Sequence, residues 1–317
     1  MSFFLGIDTS NYTTSAAVYD IGSGGMLNRK TPLPVRPGEK GIRQNDAVFL
    51  HTLALPELTA DSFRQYPSGM AAIGVSSRPR DVEGSYMPCF LAGVNSASCI
   101  ASALAVPLYS FSHQAGHIAA ALYSAGKLSL VNEKFIAFHV SGGTTEALLV
   151  EPERDTVFTV KIIGKTNDLN AGQAVDRVGA MLGLPFPAGT ALEELALRSA
   201  AAGKAKPAVE NGNASFSGLE NLCAKMMKKG AAKEDVAGFC LEYISAALEK
   251  MVLAALKSYG PLPLVFSGGV MSNRIIRKRI TGNFEGALFA EPDYSKDNAA
   301  GVAVLAGIRH TRYDRGT

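Results

Sequence analysis

Apolar runs that end in glycine and small hydroxyl residues recur three times along the chain. They are FFLGIDTSNYTTSAAVYD from Phe3, FIAFHVSGGTTEALLVE from Phe135 and LPLVFSGGVMSNR from Leu262. The first two pass into a second apolar run within a few residues, which predicts strand-turn-strand hairpins; the third predicts a strand followed by a helix beginning near Asn273. A 3.6-residue rhythm is strongest over 234–259, where Val236, Phe239, Cys240, Tyr243, Ile244, Ala247, Leu248, Met251 and Leu253 form an apolar stripe. Shorter helices are predicted over 94–104, 112–125, 172–182, 191–201 and 298–309. Another starts at Ser217, whose spacing to Glu220 is that of a capping box.

Hairpin-plus-helix units in both halves predict an α/β fold of two similar lobes. The N-terminal lobe is expected over 1–110 and the C-terminal lobe over 111–317, with the last helix packing back on the first. The stretch 203–213, rich in glycine, lysine, proline and asparagine, is the one segment read as flexible. Residues 84–126 hold no Asp, Glu, Lys or Arg, yet their most apolar window is broken by Asn95, Ser96, Ser98, Ser102 and Pro107. A membrane span needs about 20 consecutive apolar residues, so this stretch predicts a buried helix of small residues followed by a strand, and no membrane is expected.

Composition narrows the class. Of 317 residues, 47% are hydrophobic and 19% charged, enough for a large core and against disorder over most of the length. The net charge of +3 is too mild to announce a nucleic-acid binder. Two local clusters, Arg274, Arg277, Lys278, Arg279 and Lys225, Lys228, Lys229, Lys233, suit either RNA phosphates or solvated helix faces. Cys89, Cys99, Cys223 and Cys240 are scattered without a CxxC pair, which argues against a disulfide framework or a thiolate zinc site. The N-terminus enters a strand without a basic leader. A cytoplasmic location is expected.

Candidate chemistry centres on SHQAGHIAAAL. His113 and His117 lie four apart on a helix capped by Ser112, so both rings face one side and can meet one cation. The same spacing also suits two histidines that only pack. An HExxH protease needs a glutamate directly after the first histidine; Gln114 stands there and cannot take a proton, so a metallopeptidase is the weakest reading. Asp297, just before an apolar helix, can supply a third ligand or simply face the positive end of that helix. Backbone N–H groups in a turn such as Ser141-Gly142-Gly143-Thr144 suit phosphate oxygens. No GxxxxGK[ST] motif is present, which excludes a P-loop enzyme. Asp8, ending the first strand, can hold magnesium through water or cap its turn.

Together these residues resemble the TsaD family of tRNA threonylcarbamoyladenosine synthases, within the actin-like ATPase (ASKHA) superfamily. The resemblance runs from GIDTS at Gly6 to KDNAAG at Lys296, through HxxxH at His113, VSGG at Val140, AGQAVDRVGAMLGLPFPAG at Ala171, FSGL at Phe216 and GGVMSNR at Gly268. It implies a two-lobed fold with a nucleotide and metal cleft between the lobes. One divalent ion, zinc, iron or manganese, is expected on His113, His117 and Asp297. The adenine nucleotide or threonylcarbamoyl-adenylate, with magnesium an option, is expected at His139, Val140, Ser141, Gly142, Gly143, Asp176, Gly189 and Asn273, with Asp8 nearby. The implied reaction is threonylcarbamoyl transfer to the tRNA adenosine beside the anticodon. The implied partners are tRNA, a smaller non-catalytic homologue, an ATPase and the enzyme that makes the adenylate; a homodimer stays open.

The chain departs from the family where acidity matters. The turn usually written TSCDET reads Thr9-Ser10-Asn11-Tyr12-Thr13-Thr14, Thr144 replaces a histidine, Leu169 replaces an aspartate and Gln173 a glutamate. A glutamine hydrogen-bonds but cannot balance a cation's charge. These changes read as those of a divergent paralogue, for which a non-catalytic or altered-specificity assembly protein is the alternative.

Overall fold

Alternating and continuous apolar runs become strands here, and the longer small-residue and 3.6-period stretches become helices. The computed structural model describes residues 2–10, 12–34, 42–200 and 203–313. Its first elements are β1 (Phe3–Asp8), β2 (Thr13–Asp20), β3 (Met26–Pro32), α1 (Gln44–Gln65), β4 (Met70–Arg78), α2 (Phe90–Leu104), β5 (Leu108–Ser112) and α3 (His113–Ser124). Next come β6 (Phe135–Val140), β7 (Thr145–Glu153), β8 (Val157–Lys165), α4 (Ala171–Met181), α5 (Gly189–Ala196), β9 (Val209–Glu210), β10 (Asn213–Ala214) and α6 (Ser217–Lys228). The last are α7 (Lys233–Tyr259), β11 (Leu264–Ser267), α8 (Arg274–Asn283), β12 (Leu288–Phe289) and α9 (Ala300–Tyr313).

Two compact units result. The first comprises Met1–Asn132, Pro152–Thr159 and Asp293–Thr317; the second comprises Glu133–Glu151 and Val160–Pro292. The first thus continues past Ser110 to include α3, and α9 returns to it. Each unit is built on a five-stranded sheet, ordered β3-β2-β1-β4-β5 in one and β12-β11-β6-β7-β8 in the other. In each, an antiparallel hairpin (β1–β2, β6–β7) is extended by strands parallel to its first member, β4 and β5 or β11 and β12. The repeated order is the two-lobe likeness expected from the sequence.

In the first unit α9 lies almost directly on the sheet. Its Val302, Ala303, Val304, Leu305 and Ala306 are fully buried, and burying a valine or leucine contributes about 1.5–3 kcal/mol each. Four glycines make the approach possible. A Cβ on Gly6 would lie 2.7 Å from Ala303 N, one on Gly74 would overlap the Val302 carbonyl, and one on Gly116 would lie 3.2 Å from Val302 Cγ1. On the helix itself, a Cβ at Gly301 would overlap the Gly116 carbonyl and lie 2.6 Å from its carbon.

The core of the second unit gathers around α7, whose Val236, Ala237, Cys240, Leu241, Ile244, Ala247, Leu248, Met251 and Val252 are at most 1% exposed. The predicted stripe holds except at Leu253, which points out and is 52% exposed. Across the sheet, Phe138 stacks on Phe266 at 5.1 Å and Phe266 on Phe289 at 5.0 Å, a ladder along neighbouring strands.

Other local expectations fare unevenly. The uncharged stretch does become a buried small-residue helix, α2, then β5. The capping box at Ser217 does not form: Ser217 is already inside α6, and Asp168 instead accepts from Phe216 N at 2.8 Å and Ser217 N at 3.1 Å. The segment read as flexible contains β9. Helix α5 ends at Ala196, short of the predicted 201, and Ala201 and Asn11 lie outside the described residues.

Gly301→Ala is expected to cost about 3 kcal/mol, the upper end for overpacking, because a backbone carbonyl rather than a flexible side chain must move. Gly142→Ala, with nothing within 4 Å of the added carbon, is expected to be close to neutral. Urea unfolding midpoints compare the two.

Candidate functional site

The residues of the first unit converge at the carboxyl ends of β1 and β4. Parallel pairing of Ile7 with Val75 sets Asp8 beside Ser76. Ser112 ends β5 and caps α3, its Oγ accepting from Ala115 N at 3.1 Å, so His113 and His117 stand on the first two turns of α3, rings 4.3 Å apart. The segment before α9 brings Asp297 to both: its Oδ1 lies 3.4 Å from His113 Nε2 and 3.3 Å from His117 Nε2. One ligand atom from each of the three lies within 4.8 Å of the others.

Those separations can be set beside two interactions. A direct N–H···O bond is usually 2.7–3.2 Å, whereas ligands about 2.0–2.1 Å from a tetrahedral ion stand about 3.3 Å apart. The His–Asp spacings match the latter.

Asp8 is 1% exposed and its oxygens are taken. Oδ1 accepts from Ser10 N at 2.9 Å and Ser10 Oγ at 2.5 Å; Oδ2 accepts from Ser76 Oγ and lies 2.8 Å from His113 Nδ1. The water-held magnesium expected at Asp8 therefore does not suit its surroundings. Its place is behind His113, where it holds the Nδ1 proton and turns Nε2 toward Asp297. Burial alone would lower the pKa of His113, but Asp8 and Asp297 outweigh it and push it up to about 10. Burial, with the charge on His113, lowers that of His117. Asp8 and Asp297 are held below the usual carboxylate range by the histidines and hydrogen bonds despite burial. Two carboxylates against one imidazolium leave the cluster with an excess negative charge that favours a cation.

The second unit places its candidates on two strand ends and two helix starts. His139 and Ser267 are register partners on β6 and β11, with Nδ1 3.0 Å from Oγ. After Val140 the chain turns at Ser141, whose Oγ accepts from Gly143 N at 3.2 Å and Thr144 N at 3.1 Å. Gly142 and Gly143 are exposed. Helix α4 abuts this turn: a Cβ on Gly172 would lie 2.7 Å from Gly142 N. Gly268, at φ 95°, crosses against Val140, where any side chain would strike the Val140 backbone. Asn273 caps α8 through Ile275 N at 3.0 Å and Ile276 N at 3.1 Å. Asp176 accepts from Ala188 N at 2.8 Å, just before Gly189 opens α5. Both β6 and β11 thus end in glycine turns at their carboxyl ends, where open α/β sheets bind ligands.

The departures acquire structural roles. Leu169 is 8% exposed in the core. Gln173 Oε1 accepts from Asn170 N at 3.1 Å at the start of α4. The carboxyl of Asp168 is pulled to about 2 by hydrogen bonds from Ser217, Phe216 and Leu169 that overcome its desolvation. Of the basic clusters, Arg279 is paired with Glu242 and Glu249 at 2.6 Å, Arg274 with Glu193, and Arg277 lies 4.8 Å from the Phe289 ring centre. Lys233 donates to Leu182 O at 2.9 Å, while Lys225, Lys228, Lys229 and Lys278 are exposed. Ser10, Ser76 and Ser267 are site residues that sequence reasoning did not single out; strand pairing places Ser76 and Ser267, while Ser10 folds back on Asp8 two residues earlier.

The doubled sheet order and the two glycine-turned strand ends define an actin-like ATPase fold. HypF from T. kodakarensis shares it, with a TM-score of 0.64 over 98% of this chain and 48% of that one at 15% identity. The family model TsaD, tRNA N6-adenosine threonylcarbamoyltransferase, matches residues 45–304. The chain belongs to this family. Proteins of that name from Aromatoleum aromaticum and Thermus thermophilus are 29% and 31% identical, covering 98% and 97% of this chain and 92% and 93% of the relatives. A Methanothermobacter thermautotrophicus protein named probable bifunctional tRNA threonylcarbamoyladenosine biosynthesis protein is 27% identical over 96% of this chain and 55% of its own length. No helix among the described residues is long and apolar enough to cross a membrane.

With a chelator present, the His113 charge stabilises the fold fully below pH 6.5, and this contribution is lost as pH rises from there through about 10. Urea titrations at pH 6, 8 and 10 are expected to show this decline, and Asp8→Asn to flatten it.

Proposed function

We propose that the protein transfers the threonylcarbamoyl group of threonylcarbamoyl-adenylate to the N6 amino group of the tRNA adenosine beside the anticodon, with a divalent ion held by His113, His117 and Asp297. The spacing of Asp297 Oδ1 from the two Nε2 atoms, 3.3 and 3.4 Å, carries the reading. When bound, the ion supplies Lewis-acid polarisation of the carbamoyl carbonyl. The chain's own part is orientation. Asp8 keeps the Nδ1 proton of His113, so the proton that an arriving ion would displace is the one on Nε2, whereas the neutral His117 needs no proton removed before it ligates.

The turn Ser141-Gly142-Gly143, following His139 and Val140, would meet the adenylate phosphate at its exposed glycines, where no side chain blocks approach to the backbone. Asn273, Asp176 and Gly189 would fix the nucleoside end. Transfer breaks the bond between the carbamoyl carbon and the phosphate oxygen and forms one to N6, releasing AMP and a proton. The names of the relatives support this transferase over a non-catalytic paralogue, and Gln114 still offers no base for peptide hydrolysis. We place the protein in the cytoplasm beside its tRNA. The Methanothermobacter protein's bifunctional name supports a partner in the same biosynthesis; the smaller homologue, the ATPase and the adenylate-forming enzyme are the partners expected.

Reconstitution with that upstream enzyme, the other partners, threonine, bicarbonate, ATP and unmodified tRNA is expected to yield the modified nucleoside. His113→Ala should reduce product by more than about a hundredfold and strip about one equivalent of metal, measured by nucleoside mass spectrometry and elemental analysis. No product with every component present would refute the transfer.

A further inference from the structure

We propose that Asp81, in the loop after β4, is a positioning residue for His113, a role that rests on the metal-binding reading above. Ser112 Oγ donates to Asp81 Oδ2 at 2.8 Å while accepting from Ala115 N at 3.1 Å. A hydroxyl has one proton, so giving it to Asp81 fixes the rotor with its lone pairs toward the helix. Arg78 Nη2 grips Asp81 Oδ1 at 2.6 Å and its Nη1 donates to Ser77 Oγ at 3.1 Å. From the same loop, Pro79 O accepts from Gln114 N at 3.1 Å. Two N–H groups of the first turn of α3 therefore depend on residues 78–81, directly or through Ser112, and an anionic group here also complements the helix dipole.

His113 rides on that turn. Asp8 orients its ring, and the Arg78–Asp81–Ser112 chain fixes the backbone from which the ring projects. His117, one turn later, follows Gly116, which is pressed against Gly301 of α9. The loop thus governs one imidazole and α9 the other, so loss of Asp81 should loosen the site at His113 alone.

Cobalt(II) titration of the metal-stripped protein, followed by the visible absorption of the bound ion and by its affinity, tests this. Asp81→Ala is expected to bind cobalt about tenfold more weakly, the low end for outer residues around a metal, and to shift the absorption band. Asp81→Asn, whose side-chain oxygen can still accept from Ser112, should recover most of the affinity. Arg78→Met keeps the Ser112 bond but frees the carboxylate; it should weaken binding about threefold, less than loss of an outer partner, and it carries the test if Asp81→Ala does not fold. Unchanged affinity and band in Asp81→Ala, or in Arg78→Met where that variant alone folds, overturn the role, as does an Asp81→Asn loss equal to that of alanine. Failure of the unsubstituted protein to bind cobalt overturns the metal reading and this role together, and is recognisable because it precedes any substitution.

Discussion

The close seating of α9 on the first unit is the constraint from which the metal candidate follows. Gly6 on β1, Gly74 on β4 and Gly116 on α3 leave room for a helix backbone, and Gly301 completes the contact from the other side. Asp297 lies immediately before this helix, so the depth to which α9 sinks fixes where the carboxylate stands. A helix held a few ångströms farther out by ordinary side chains would leave Asp297 beyond the reach of the histidines. Packing that looks like core stability is therefore also the geometry of the site.

Electrostatics refine what packing sets. Asp8 and Asp297 flank His113 on its two nitrogens, the first at 2.8 Å and the second at 3.4 Å. The closer contact is a hydrogen bond that chooses which nitrogen keeps a proton. The longer one is wide for a hydrogen bond and natural for two atoms sharing an ion. With an ion bound as proposed, this imidazole would be held at one nitrogen and ligate at the other, an arrangement common around protein metals.

Much of this is legible in the sequence. The i,i+4 histidines, the Ser112 cap, the carboxylate before a small-residue helix and the glycine turns each follow from local spacing, and all appear where spacing puts them. What escaped the sequence depends on pairing between distant segments. Asp8 looks like a turn residue until parallel pairing of β1 with β4 sets Ser76 beside it and α3 delivers His113. Ser217 and Glu220 have capping-box spacing, but Asp168 arrives from another loop with a stronger acceptor. Helix α1 carries no such mark, because Pro56 stands inside it as a helix-breaking residue and Phe49 and Leu53 face outward, each 62% exposed, so no clean apolar stripe runs along it.

The first unit draws its covering helix and its third candidate ligand from beyond residue 292, after the whole of the second unit's chain has been written. During synthesis the faces of β1 and β4 that α9 covers wait, bare, until the second unit's chain has been made. A chain cut short before that point would lack both the cover of this sheet and the third candidate ligand. The order of segments leaves this sheet as the last part of the first unit to be closed.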